Sequence, residues 1–471
     1  MSSELKPFNR RLFLRGALAT SLVPVAGVLA ACASPGGDDK PKGTSTTGAT
    51  SAQNPFGLAA NTEVDAVIFN GGYGYDYVTF AGGLAEAKHS GIKIKVQPST
   101  EIAQELQPRF VGGNPPDLIN NGGAGKISLS TIVDQLETLD DVLDATNYGG
   151  TKIADSLYPG VKLPGTFNGK FVALNYVMTV FSLWHSASLF EENGWTPPKT
   201  WAEAKDLGAK AKAKGKYLFV FGKEAANYYQ WTMVDSAIKE GGHEVRLALE
   251  NLAPNAWSHP AIQGVLKEIH DIVRAGYIVP GGAGTQFTAA QAKWSNDQQA
   301  LLYSSGGWIE NEMKKATKAG FRMTGVPVPT LSTSPALPYE ALRAAAGEPF
   351  IVPAKGKSPA GGKEVLRAML SSEAAANFSK TRLAPTIVKG TVPADGYGST
   401  ALVSQTKMLE AAGQNIFDFV SEGYYGMGAD QLVLWNSFLA GDLDVAAMTK
   451  GLQSVSDKIA NDSSIQKIKV S

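Results

Sequence analysis

The chain has 471 residues, with 43 basic and 43 acidic side chains, 44% hydrophobic residues and a single cysteine. Formal neutrality argues against a nucleic-acid partner, which needs a basic face, and a lone cysteine excludes an internal disulfide framework and any multi-thiolate metal site. The length exceeds one ordinary hydrophobic core and fits two.

Residues 1–31 read as an export signal that is removed from the working protein. A charged stretch, Asn9–Arg15 with the pair Arg10-Arg11, precedes an apolar run from Gly16 to Ala31 broken by Thr20, Ser21 and Pro24. At roughly 16 residues that run is shorter than the ~20 that cross a hydrocarbon core. It closes on Leu29-Ala30-Ala31-Cys32, which resembles the lipobox at which bacteria attach a diacylglyceryl group to cysteine. Cys32 is therefore expected to be lipidated and to anchor the protein to the outer face of the cytoplasmic membrane. The arginine pair points to twin-arginine export, although Asn9 stands where that signal often has Ser or Thr. The signal carries Lys6, Arg10, Arg11 and Arg15 against Glu4, so the mature body is about three charges negative. Residues 32–55 are rich in Ser, Thr, Gly, Pro and Asp with almost nothing to bury, and are expected to form a flexible tether.

From Asn61 onward strands and helices alternate. Val64–Phe69 is short and apolar, and a glycine-rich turn leads to a helical stretch through Glu86. Ile92–Gln97 alternates apolar Ile92, Ile94 and Val96 with Lys93 and Lys95, the period of a half-buried strand. A helix from near Thr100 toward Phe110 follows, then a strand at Pro116–Asn120. This order predicts an α/β fold with a largely parallel sheet covered by helices on both faces, and in such sheets ligands bind beyond the carboxyl ends of the strands. Two loops fall there: Asn70–Tyr77, with Tyr73, Tyr75 and Asp76, and Asn120-Asn121-Gly122-Gly123. Glycines permit close backbone approach, tyrosines offer flat faces with hydroxyls, and the amides and Asp76 give directional hydrogen bonds. That mixture suits a sugar, with its apolar ring faces and polar edges. The competing reading is of tight turns whose tyrosines pack on the sheet.

Gly112–Asp117, Phe171–Asn175, Leu183–His185, Leu189–Trp195 and Pro197–Trp201 resemble, in order, the glycine turn, the crossover and the helix start of the extracellular solute-binding proteins of carbohydrate importers. Asn54–Gly57, Val67–Phe69, Leu106–Phe110, Asn251–Ala256 and Gly347–Ala354 narrow the resemblance to the N-acetylglucosamine and diacetylchitobiose binding proteins. The resemblance implies a two-lobed periplasmic-binding-protein-like fold (class II) with a hinge. Lobe I would comprise 56–175 and about 352–415, and lobe II 176–351 and about 416–471, with crossings near Ala173–Met178 and Phe350–Ala354. It implies capture of N-acetylglucosamine or a chitooligosaccharide and delivery to the permease of an ABC importer, by a monomer without cofactor or metal.

All eight tryptophans lie between Trp184 and Trp435, so stacking faces from tryptophan must come from the second lobe. Tyr228 and Trp231 follow a strand-like Tyr217–Phe221, and Trp308 follows Ala300–Gly307, which resembles the family strand whose Gly-aromatic end meets the sugar. With Asn175 at the crossover and Tyr425 between glycines, these complete the expected sugar contacts. Trp195, Trp201 and Trp257 sit at helix starts or corners and are assigned to structure. Glu348, in an apolar setting, needs a partner if buried, either a sugar hydroxyl or Arg343. The sequence lacks enzymatic motifs. Asn120 stands where a phosphate loop before Gly125-Lys126 needs glycine, Leu247 where a metalloprotease helix begun by His243-Glu244 needs histidine, and no nucleophile elbow occurs. The protein is accordingly expected to be a binder and not an enzyme. Binding of a different oligosaccharide, or glycoside hydrolysis by a carboxylate pair that only the fold assembles, are the alternatives.

Overall fold

The computed structural model describes residues 48–470 apart from 72, 124 and 125; the expected export signal, Cys32 and most of the tether lie outside them. Eleven strands occur among the described residues: β1 Glu63–Phe69, β2 Lys93–Ser99, β3 Leu118–Asn120, β4 Thr166–Phe167, β5 Lys170–Phe171, β6 Leu174–Ser186, β7 Tyr217–Phe219, β8 Ala300–Gly306, β9 Met323–Val326, β10 Leu342–Ile351 and β11 Ile416–Phe417. Nine form one sheet in the order β2-β1-β3-β10-β6-β8-β7, with β9 on β6 and β11 on β10, while β4 and β5 form a hairpin. Asn168 and Gly169 both take positive φ at its turn, as the mirror-image two-residue turn requires.

β1 pairs in parallel with β2 and β3, β7 with β8, and β11 with β10, whereas β6 and β10 run antiparallel to each other, β10 antiparallel to β3, and β6 antiparallel to β8 and β9. In β1 the consecutive residues Ala66, Val67 and Ile68 are all buried, the pattern of a parallel strand covered on both faces. The helix Asp76–Lys88 covers one face through Val78, Ala81 and Ala85, joined there by Pro359–Met369. Ile102, Leu106 and Phe110, one turn apart on the helix Ile102–Val111, cover Val67 and Ile119 on the other. Edge strand β2 shows Lys93, Lys95 and Gln97 to solvent, which discourages pairing with another chain. Asp117, just before β3, accepts from the amides of Asp65 (2.8 Å) and Ser358 (2.6 Å), tying β1 to the start of the covering helix.

A second core gathers around β7 and β8. Thr200 caps the helix Trp201–Ala213 by accepting from the Glu203 amide at 3.2 Å, and the fully buried Trp201 donates its indole N–H to Ser236 at 2.8 Å. Truncating such a tryptophan costs about 3–5 kcal/mol. β6 carries Leu174 through Val180 into the first core and Leu183 into the second. β10 pairs with β3 of the first core at Phe350 and with β11 of the second at Leu342. These two long strands connect the cores as an antiparallel ribbon.

The expected tether ends earlier than residue 55. Asn54 bonds to Ala49, to the Leu58 carbonyl and to the Leu58 amide, and Arg367 holds the carbonyls of Ala52 and Gln53 at 3.3 and 3.0 Å. Composition missed this because the grip is on backbone carbonyls, which any residue supplies.

Candidate sugar-binding cleft

Two cavities flank the β6–β10 ribbon. The larger, about 630 Å³, is lined by Met178 and Ala344–Ala346 together with Leu163, Phe167, Arg246 and the segment 466–470. The smaller, about 490 Å³, is lined by Tyr73, Thr179, Trp308, Asn311, Glu312, Gly347 and Glu348. Tyr73 follows β1 and Trp308 follows β8, so the smaller cavity lies beyond the carboxyl ends of strands from both cores, where ligands of α/β sheets bind. It also combines an indole face with hydroxyl, amide and carboxyl groups, and it is the cavity we assign.

Trp308 sits where it does because of two glycines. A Cβ on Gly306 would lie 2.0 Å from Cζ3 of Trp308, and one on Gly307 would lie 2.0 Å from Oε1 of Gln405. The indole thus rests on bare backbone. Three rings brace it edge-on: Phe181 at 5.8 Å and 82°, Tyr228 at 6.1 Å and 73°, and Trp231 at 6.4 Å and 87°. Tyr228 and Trp231 are themselves stacked at 4.5 Å and 21°. Burial pushes the Tyr228 phenol up to about 12, the charge of Glu312 adding to this and a hydrogen bond from Trp308 opposing it. Behind the rings the Arg343 guanidinium lies between Phe181 (4.1 Å) and Phe419 (3.8 Å) and donates to Asp418 at 3.1 Å.

On the opposite wall, Tyr73 packs on Phe378 at 5.4 Å, ahead of the buried cluster of Tyr77, Tyr176 and Phe350. Glu348 adopts φ +57°, a left-handed conformation that a side chain occupies only when its surroundings enforce it. Its carboxyl is raised above the usual range by burial, which a hydrogen bond with Asn120 and the charge of Lys126 only partly offset. Arg343 is not its partner, as the sequence had left open, because that arginine is committed to Asp418. Asn311 donates to the Arg382 carbonyl, joining helix Ile309–Met313 after Trp308 to the end of helix Ser372–Arg382 on the first core.

Of the residues expected from sequence, Tyr73, Trp308 and Glu348 line the cavity, and Tyr228 and Trp231 stand directly behind Trp308. Asn120 is fully buried and donates to the Pro349 carbonyl at 3.2 Å. Asn121 is turned inward: its amide both accepts from and donates to the backbone of Ile127 at 2.8 Å, closing the loop. Asp76 is exposed and pairs with Arg382 at 3.1 Å, Tyr75 packs against the first core, and Asn175 is buried opposite Pro349. Tyr425 accepts from the Ile468 amide at 3.0 Å, beside the larger cavity and outside the lining of the smaller one. Sequence reasoning missed Thr179, Asn311, Glu312 and Gly347. Thr179 carried a usable signal, a lone hydroxyl inside the apolar run Val177–Phe181. Glu312 is held by Gln291 at 2.7 Å, and burial raises its carboxyl as well.

Among the described residues no cluster of His, Cys, Asp and Glu has the arrangement of a metal site, and no helix is long and apolar enough to cross a membrane. The sequence profile of the bacterial extracellular solute-binding proteins matches residues 70–376. The diacetylchitobiose binding protein NgcE of Streptomyces coelicolor is 66% identical over 471 residues, covering 100% of both chains. The apo form of RafE from Streptococcus pneumoniae superposes with a TM-score of 0.67 at 19% identity, covering 85% of this chain and 98% of that one. The cyclic α-maltosyl-1,6-maltose binding protein of Arthrobacter globiformis gives 0.66 at 16% identity, covering 84% and 98%.

Proposed function

The chain belongs to the bacterial extracellular solute-binding protein family, and from that premise we propose that it captures an N-acetylglucosamine oligosaccharide, diacetylchitobiose foremost, and hands it to the permease of an ABC importer. The observation that carries this reading is the Trp308 indole, braced edge-on by three rings and facing a cavity whose other walls hold Tyr73, Thr179 and Glu348. A pyranose presents an apolar face to such an indole and hydroxyls to the groups around it. The full-length likeness to a diacetylchitobiose binder supports the choice of sugar.

Mechanistically, sugar bridges walls that belong to different cores, and binding shifts the population toward the closed arrangement by its differential affinity for it. The β6–β10 ribbon serves as hinge between a lobe I of 56–175 and about 352–415 and a lobe II of 176–351 and about 416–471. No bond of the sugar is made or broken. Export through residues 1–31 and lipid attachment at Cys32 complete the reading, supported by Leu29-Ala30-Ala31-Cys32.

Calorimetric titration of the protein lacking residues 1–32 with diacetylchitobiose, N-acetylglucosamine, maltose and cellobiose tests the reading, with chromatography of the sugar afterwards. One-to-one binding of an N-acetylated sugar recovered intact is expected. Selective binding of maltose or cellobiose would overturn the ligand, and cleaved sugar would overturn the assignment as a binder.

A further inference from the structure

The aromatic wall of the cleft is fixed from behind by a carboxylate that lines neither of the two cavities. Glu422 lies on the short helix Ser421–Tyr425, and its Oε2 accepts from the Trp231 indole N–H at 3.0 Å and from the Gln230 amide at 3.2 Å. Gln230 is itself immobilised, donating to Gln431 at 2.7 Å and accepting from the Trp435 indole at 2.9 Å. The helix that carries Glu422 is held in turn by Glu250, which accepts from the amides of Val420 and Ser421. Burial works against the charged form of Glu422, and Arg343 with the donors of Trp231, Asn227 and Gln230 works for it.

A stacked pair of rings has no directional lock in its own plane, whereas a charge-assisted N–H···O bond fixes rotation about the side-chain torsions. Trp231 stacks on Tyr228, which accepts from Trp308. An unbroken chain of contacts thus runs from Glu422 through Trp231 and Tyr228 to the indole facing the cavity. We propose that Glu422 is a positioning residue for sugar recognition, setting the angle of the Trp231–Tyr228 stack and hence of the Trp308 face, without touching the sugar. This rests on the proposed role of Trp308.

The test is a double-substitution cycle read by calorimetry with diacetylchitobiose. Glu422→Ala should weaken binding about tenfold, because the Trp308 face is no longer held at the angle at which a sugar ring stacks on it, and Glu422→Gln, which keeps an acceptor, should stay within about threefold of the parent. Trp231→Phe, which deletes the N–H and keeps a ring, should lose about as much as Glu422→Ala, and adding Glu422→Ala to it should cost little more. A merely structural role would lower the melting temperature in either background without this non-additivity in Kd. Unchanged binding by Glu422→Ala, or an equal loss in the Trp231→Phe background, would overturn the inference while leaving the sugar reading intact. If Glu422→Ala does not fold, Trp231→Phe decides alone, since parental affinity in that variant would refute the lock. Absence of sugar binding by the parent protein would overturn both readings.

Discussion

Trp308→Ala is the sharpest perturbation of the cleft. An aromatic side chain of this size buries about 150–250 Å² when enclosed, and a half-buried indole offers a ligand about 80 Å² of apolar face. At about 25 cal/mol per Å² that face contributes roughly 2 kcal/mol to binding, which is about thirtyfold in Kd. Stability suffers separately, because Phe181, Tyr228 and Trp231 lose an edge partner, each pair being worth about 0.5–1.5 kcal/mol. Trp308→Phe keeps a ring but removes area and the hydrogen bond to Tyr228, so its loss should be about three- to fivefold. Calorimetry at one temperature, with melting monitored in parallel, separates the two effects. Folded Trp308→Ala protein that binds diacetylchitobiose within threefold of the parent would refute the stacking argument.

Gly306→Ala places a methyl group 2.0 Å from the Trp308 ring; the indole must tip, so binding should fall about tenfold, with overpacking costing about 1–3 kcal/mol by denaturant titration. Asp117→Ala removes the acceptor of one buried and one part-buried amide and should destabilise the protein by about 2–4 kcal/mol, seen as a lower urea midpoint with unchanged slope. Asp235, whose two carboxylate oxygens are buried without partners, is pushed up to about 7 by burial, with Arg343 and Lys239 opposing and Asp418 adding. Its folded-state value lies above its unfolded one, so the stability it contributes is full below about pH 4 and is lost as pH rises through about 7. Melting temperatures should therefore show Asp235→Asn gaining on the parent from pH 5 to about 7 and levelling off above it, and a constant difference across that range would contradict the assignment.

The first core was legible because its signals are periodic: alternation in Ile92–Gln97 and the apolar burst of Val64–Phe69 became β2 and β1 within a residue or two. Trp308 was legible because two glycines before an aromatic leave few other uses for the pair. The loop amides were not, since Asn120 and Asn121 offer the same groups to a ligand or to their own backbone, and the fold uses them on Pro349 and Ile127. Arg343 illustrates a different limit. Five residues of extended strand separate it from Glu348 by about 17 Å, so nearness in sequence misled, and its partner Asp418 comes from 75 positions away. Glu312 and Asn311 were hidden because a solvent-polar helix reads alike whether it faces water or a cleft.

A crystal structure of the protein grown with diacetylchitobiose addresses the central claim most directly. The account expects one sugar ring lying flat within about 4 Å of the Trp308 indole, with Tyr73, Thr179 and Glu348 at its polar edge. Sugar seated instead against Leu163, Phe167 and Arg246 in the larger cavity, or bound with Trp308 untouched, would contradict it.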